Sequence, residues 1–191
     1  MTYSVWHADP EGGFCTLEDL EKVNDAYELK RGVSRAKDFP EDARFRMDSS
    51  HPKEVKLPDN VMNTDRLLVV SPKLKQFVEE KNPTATEYLP VTIYNHKKRV
   101  ATKDYFIINP HKVVDCIDQA KSELVWNKID TQLVSRCKKL VLDEKQIDPN
   151  LLLFRPKYLP LIVLTRSDLA EAIIGEGFKG AYFFKVNEFQ T

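Results

Sequence analysis

Long apolar runs, a surplus of one charge and paired cysteines are all missing from this chain of 191 residues. No apolar run exceeds four residues, as at Leu161–Leu164, whereas a membrane-crossing helix needs about twenty. Lysine and arginine total 29, and aspartate and glutamate also total 29. That balance argues against a generally basic nucleic-acid binder and against an acidic disordered tail. The three cysteines, Cys15, Cys116 and Cys137, are odd in number and form no C-x-x-C. Reduced, buried thiols are expected rather than a disulfide framework. The opening residues carry no basic segment followed by an apolar stretch, so no secretory signal is read and a cytoplasmic protein is expected.

Named catalytic motifs are equally scarce. There is no P-loop and no G-x-S-x-G. The histidines His7, His51, His96 and His111 have no partner at zinc-ligand spacing, so no metal and no cofactor are expected. Gly175-Glu176-Gly177-Phe178-Lys179-Gly180 spells G-x-G-x-x-G. Dinucleotide binding needs those glycines after a strand and before a helix, and here a helix pattern comes first. Gly175 or Gly177 reads instead as a helix stop. His111 and Cys116 are the one pair with nucleophilic chemistry in reach, but Asp115 and Asp118 beside them would raise the thiol pKa. Lys97-Lys98-Arg99 and Lys138-Lys139 are short basic clusters without an aromatic array, which reads as solvated surface.

What is present is a patterned α+β chain. Tyr3–His7, Leu67–Val70, Glu87–Asn95, Arg99–Asn109, Val113–Ile117, Gln132–Leu142, Leu151–Arg155, Leu161–Leu164 and Ala181–Lys185 read as strands. Ser71-Pro72 supplies an N-cap and first-turn proline for a helix with Leu74, Phe77 and Val78 on one face. Thr165 with Asp168 reads as the cap of a second helix. The expected fold is a mostly antiparallel, mixed sheet with a few peripheral helices around a single core. Residues 1–38 read as an N-terminal strand and acidic helix, and residues 39–191 as the main domain. The stretch from Arg35 to Asn63 reads as irregular chain, either a linker or a segment wrapped onto that domain, and Phe39, Phe45, Met47, Val55 and Leu57 argue for wrapping.

Charge is unevenly placed. Residues 1–60 hold 9 basic and 13 acidic side chains, a net of −4, and the remainder carries +4. A capping pattern at Thr16-Leu17-Glu18-Asp19 predicts a helix running to about Lys30. On it Glu18, Glu21, Asp25 and Glu28 would form a stripe about 80° wide. Two readings stand side by side: a solvated face, or a patch that steers a basic partner.

Phe39-Pro40 through Met47, Leu57-Pro-Asp-Asn and Leu67-Leu-Val-Val-Ser-Pro-Lys-Leu resemble the opening of the bacterial immunity-protein family numbered eleven in polymorphic toxin systems. Leu89-Pro-Val-Thr-Ile-Tyr-Asn, Asp104-Tyr-Phe-Ile-Ile-Asn and Val114-Asp-Cys-Ile-Asp resemble its central stretch. Leu153-Phe-Arg, Leu161-Ile-Val-Leu and Gly177-Phe-Lys-Gly-Ala-Tyr-Phe are similar to its end. The resemblance spans about residues 39–185 and leaves the first 38 outside. It implies a non-enzymatic protein that binds a cognate toxin domain, often a nuclease, and blocks it. The alternatives are a small enzyme with a site around Cys116 and His111, and a non-catalytic scaffold or dimerisation module.

Overall fold

The computed structural model describes residues 2–9 and 13–191. Twelve strands are formed: β1 (Tyr3–Ala8), β2 (Arg44–Arg46), β3 (Asn60–Val61), β4 (Leu68–Val70), β5 (Thr86–Tyr94), β6 (Val100–Pro110), β7 (Val113–Val114), β8 (Glu123–Trp126), β9 (Val134–Lys139), β10 (Leu153–Pro156), β11 (Val163–Arg166) and β12 (Ala181–Lys185). Two α-helices, α1 (Pro72–Glu80) and α2 (Ser167–Gly175), and three short 3-10 turns complete the described chain. One five-stranded sheet has the order β12-β1-β11-β10-β7, the other β2-β5-β6-β4-β3, and β8 pairs with β9. Pairing is antiparallel except at β2–β5 and β10–β7. The class is therefore α+β with mixed, mostly antiparallel sheet.

Alternation along each strand decides which layer a side chain enters. On β1, Tyr3 and Val5 pack with Phe154 and Leu164, whereas Trp6 packs with Leu153 and Val163. On β6, Ile107 packs with Phe45, Leu89 and Ile93, whereas Ile108 joins Trp6. The cluster shared by both sheets therefore lies between them, and α1 and α2 add Leu74, Val78, Leu169 and Ile173 to it. The outer face of the first sheet is covered by the β8–β9 hairpin through Val134 and Cys137. Irregular chain covers the outer face of the second through Leu17, Leu20 and Leu29. The central strands β4, β10 and β11 are buried on both faces, whereas β12 and the Val100–Asp104 half of β6 are not. Arg155 fastens them: its buried guanidinium donates from Nε to Pro110 O at 3.0 Å and from Nη1 to Pro160 O at 2.7 Å.

Ser71 caps α1 as its spacing suggested, accepting from Leu74 N at 3.3 Å with Pro72 in the first turn. Thr165 does not cap α2. It lies inside the β11 ladder opposite Leu153 and Ser4, fully buried, and the helix starts two residues later without a side-chain cap. Gly177 has φ +74° and follows the end of α2, as a helix stop requires. Val55 is 58% exposed, so it is not among the residues that hold the wrapping segment. Phe45 and Met47 are buried and do hold it.

The helix expected over Thr16–Lys30 does not form. Leu17 N donates to Met62 O, Glu18 N to Arg46 O, and Glu21 and Arg44 exchange both backbone hydrogen bonds. These amides pair with distant chain rather than four residues back. Lys22 and Asp25 then take positive φ, which ends any helical path. Only a 3-10 turn remains, Ala26–Arg31. Glu11, part of the same acidic run, lies outside the described residues.

Candidate partner-binding surface

The four acids expected on one helix stripe are distributed over separate local structures. Glu21 accepts from Arg46 Nε at 2.6 Å and from Arg44 Nε at 2.8 Å. Those hydrogen bonds, from Arg46 first and Arg44 second, hold its carboxyl down to about 2. Glu28 accepts from Arg35 Nη1 at 2.9 Å, and Glu18 accepts from the amide of Ser49 at 3.0 Å. Asp25 stands at the N-cap position of the 3-10 turn, but its exposed side chain makes no capping hydrogen bond. Two of the four thus spend their charge on arginines of this same chain.

Other acids of the N-terminal third are used in the same way. Asp65 takes Lys30 at 2.6 Å and the amide of Leu20 at 2.7 Å. Asp19 accepts from the Thr64 hydroxyl at 2.6 Å. Asp48 accepts from the Ser50 amide, then from His51, and both hold its carboxyl below the usual range. The centre of the wrapping is Glu87 of β5, which is 8% exposed. It accepts from Arg35 N and Asn109 Nδ2 on one oxygen and from Ser34 Oγ and Ala36 N on the other, at 2.7 to 3.1 Å. The sequence gives no hint of this partner, because the acceptor sits more than fifty residues from the loop it binds.

Cys116 and His111 do not make a nucleophilic pair. Cys116 is 1% exposed, and burial, helped by the Asp115 charge, pushes its thiol up to about 12. His111 follows the last residue of β6, its amide donating to Ala85 O. Among the described residues no hydrogen bond joins the two. Cys15 is also buried, its thiol pushed up to about 11, and Cys137 is raised by burial too. Among the described residues, no group of three or more His, Cys, Asp or Glu is arranged to hold a metal ion, and no helix is long and apolar enough to cross a membrane.

An open groove of about 600 Å³ lies between α2 and β12, with Ala170, Ile174 and Phe183 in its wall. Its lining also includes the polar Ser4, Glu144, Ser167, Glu171 and Lys185, and no histidine or cysteine.

The β5–β6 hairpin ends in a braced turn. Asn95 Oδ1 accepts from Lys97 N at 2.9 Å and Arg99 N at 3.2 Å. Asn95 N donates to Arg99 O, and Lys98 N to Asn95 O. Lys98 takes φ +58° to close the turn. His96 Nε2 donates to Glu54 O at 3.2 Å, tying the tip to the 51–56 loop. Sequence reading placed the turn here but could not show how rigidly it is held.

No curated protein matches the chain. A family model does, over residues 9–188. The match begins thirty residues before the resemblance read from the sequence, so it takes in the 3-10 turn and the Glu21 and Glu28 contacts as well. The chain belongs to the Immunity protein family (Imm11).

Proposed function

We propose that this protein is a cytoplasmic immunity protein that binds the toxin domain of a bacterial polymorphic toxin and neutralises it by covering its active surface, whatever bond that toxin attacks. The observation that carries the reading is the family match over residues 9–188. Two features support it. The thiols are buried and held protonated, which makes them poor nucleophiles at neutral pH. The central strands β4, β10 and β11 are buried on both faces, which favours binding with little backbone movement. The enzyme alternative at Cys116 and His111 has no geometry in its favour.

The test is co-expression with the toxin domain encoded by the adjacent open reading frame. Cells making both proteins should survive and the two should co-purify. Death of cells that contain soluble, folded protein would overturn the proposal. A stable homodimer with no affinity for the toxin would instead favour the scaffold reading.

A further inference from the structure

We infer that the β5–β6 hairpin tip, with the 51–56 loop tied to it, is a cationic docking surface for an acidic face of the partner protein. This rests on the proposed function and adds the chemistry of the contact.

The fold neutralises some charges and leaves others free. Sequence placement alone points to an acidic N-terminal surface, but Glu21 is consumed by Arg44 and Arg46, Glu28 and Asp38 by Arg35, and Asp65 by Lys30. The positive side chains at the hairpin tip are not consumed. Lys97, Lys98, Arg99 and Lys103 are exposed, and among the described residues none forms an ion pair. The His96–Glu54 hydrogen bond brings Lys53 and Lys56 of the loop alongside. Residues 53–56 carry a net of +1 and residues 95–104 a net of +3, the latter being most of the +4 surplus of residues 61–191.

Geometry makes this a presented surface. β4 pairs with β6 only at Phe106–Ile108, so Val100–Asp104 has β5 on one side and, among the described residues, no strand on the other. The Asn95 bonds fix the turn before any partner arrives, which lowers the ordering cost of binding. Val100 and Val55 are 45% and 58% exposed within the same charged region. Exposed valines among lysines suit a protein face with carboxylates around apolar side chains. They contribute little to a phosphodiester backbone, and the tip has no aromatic ring exposed for base stacking.

The experiment compares association rates of the wild type, Lys97→Glu/Arg99→Glu and Glu18→Lys/Asp25→Lys with the purified toxin domain across an ionic-strength series. Among the described residues the side chains at 97 and 99 make no hydrogen bond, so the tip variant should melt at the wild-type temperature. It should associate about tenfold more slowly at low salt, with the gap closing as the Debye length falls to about 3 Å at 1 M. Lys97→Gln/Arg99→Gln should fall between the two. Equal rates for wild type and tip variant at every salt concentration, or a loss confined to the Glu18/Asp25 variant, would overturn the inference and leave the immunity reading standing. Binding of duplex DNA by the wild type, lost in the tip variant while toxin binding is unchanged, would assign the surface to nucleic acid instead. Failure of the wild type to bind the toxin would remove both.

Discussion

Glu21 accepts the Nε proton of Arg46 at 2.6 Å across a bridge that also joins its backbone to Arg44. Strand β2 presents Arg44 and Arg46 on the same side because they are two residues apart. One carboxylate therefore serves as a latch between the N-terminal segment and the second sheet. It is a structural charge, and any account that assigns it to a partner must first break it from both arginines.

The latch has a pH signature. The Glu21 carboxyl lies at about 2 in the folded protein against an ordinary value of 4.5, so its stabilisation is present above about pH 4.5 and is lost as pH falls toward 2. Its side chain is 35% exposed, which limits the effect of Glu21→Gln to about 1 kcal/mol at neutral pH. Urea denaturation at pH 7 and pH 3 should show the wild-type advantage at the first and its shrinkage at the second. The same difference at both pH values would mean that the ion pairs contribute nothing.

Glu87 should matter more. Glu87→Ala leaves the buried amide of Arg35 and the part-buried amide of Ala36 without their acceptor, a loss of about 2 kcal/mol. The Ser34–Asp38 stretch should also become open to trypsin at Arg35 and Lys37. Limited proteolysis followed by mass spectrometry checks this, and resistance at those sites would show the loop is held by other contacts.

Two glycines with similar φ should respond very differently. At Gly177 an added Cβ meets open space, so Gly177→Ala bears only the left-handed strain, about 1 kcal/mol. At Gly180 it would stand 2.2 Å from Asn60 O and 2.9 Å from Pro58. Gly180→Ala should lose about 3 kcal/mol, strain and overpacking together. Equal midpoints in urea for the two variants would contradict the contact between the turn before β12 and the start of β3.

How far the sequence could be read follows from the range of the interactions. Strands with clean alternation, such as Leu89, Val91 and Ile93, and caps within four residues, such as Ser71 with Leu74, were legible because the signal is local. The acidic helix was not, because Leu17 and Leu20 match helical spacing while their backbones pair with Met62 and with the Asp65 carboxylate. Thr165 looked like a cap until the β11 ladder claimed it. The candidate surface was half legible: the basic turn at Lys97–Arg99 is plain in the sequence. Its prominence depends on acids elsewhere being neutralised by arginines up to twenty-five residues away.

The thiols give a direct check on the enzyme alternative. All three are buried, and a thiol-specific reagent should label the native protein only as fast as it opens, then label all three in denaturant. Cys116→Ala/His111→Ala should protect toxin-expressing cells as well as the wild type does. Rapid labelling of one native thiol, or a folded double variant that no longer protects, would reopen the enzyme alternative.

The central claim, neutralisation by occlusion, is tested most directly by titrating a fixed amount of active toxin domain with the purified protein and measuring residual toxin activity. Occlusion predicts a fall in proportion to added protein, complete at a fixed molar ratio, immediate, and reversed when the complex is dissociated. Progressive loss of toxin activity with time at a small fraction of that ratio, or full activity in the presence of excess protein, would contradict it.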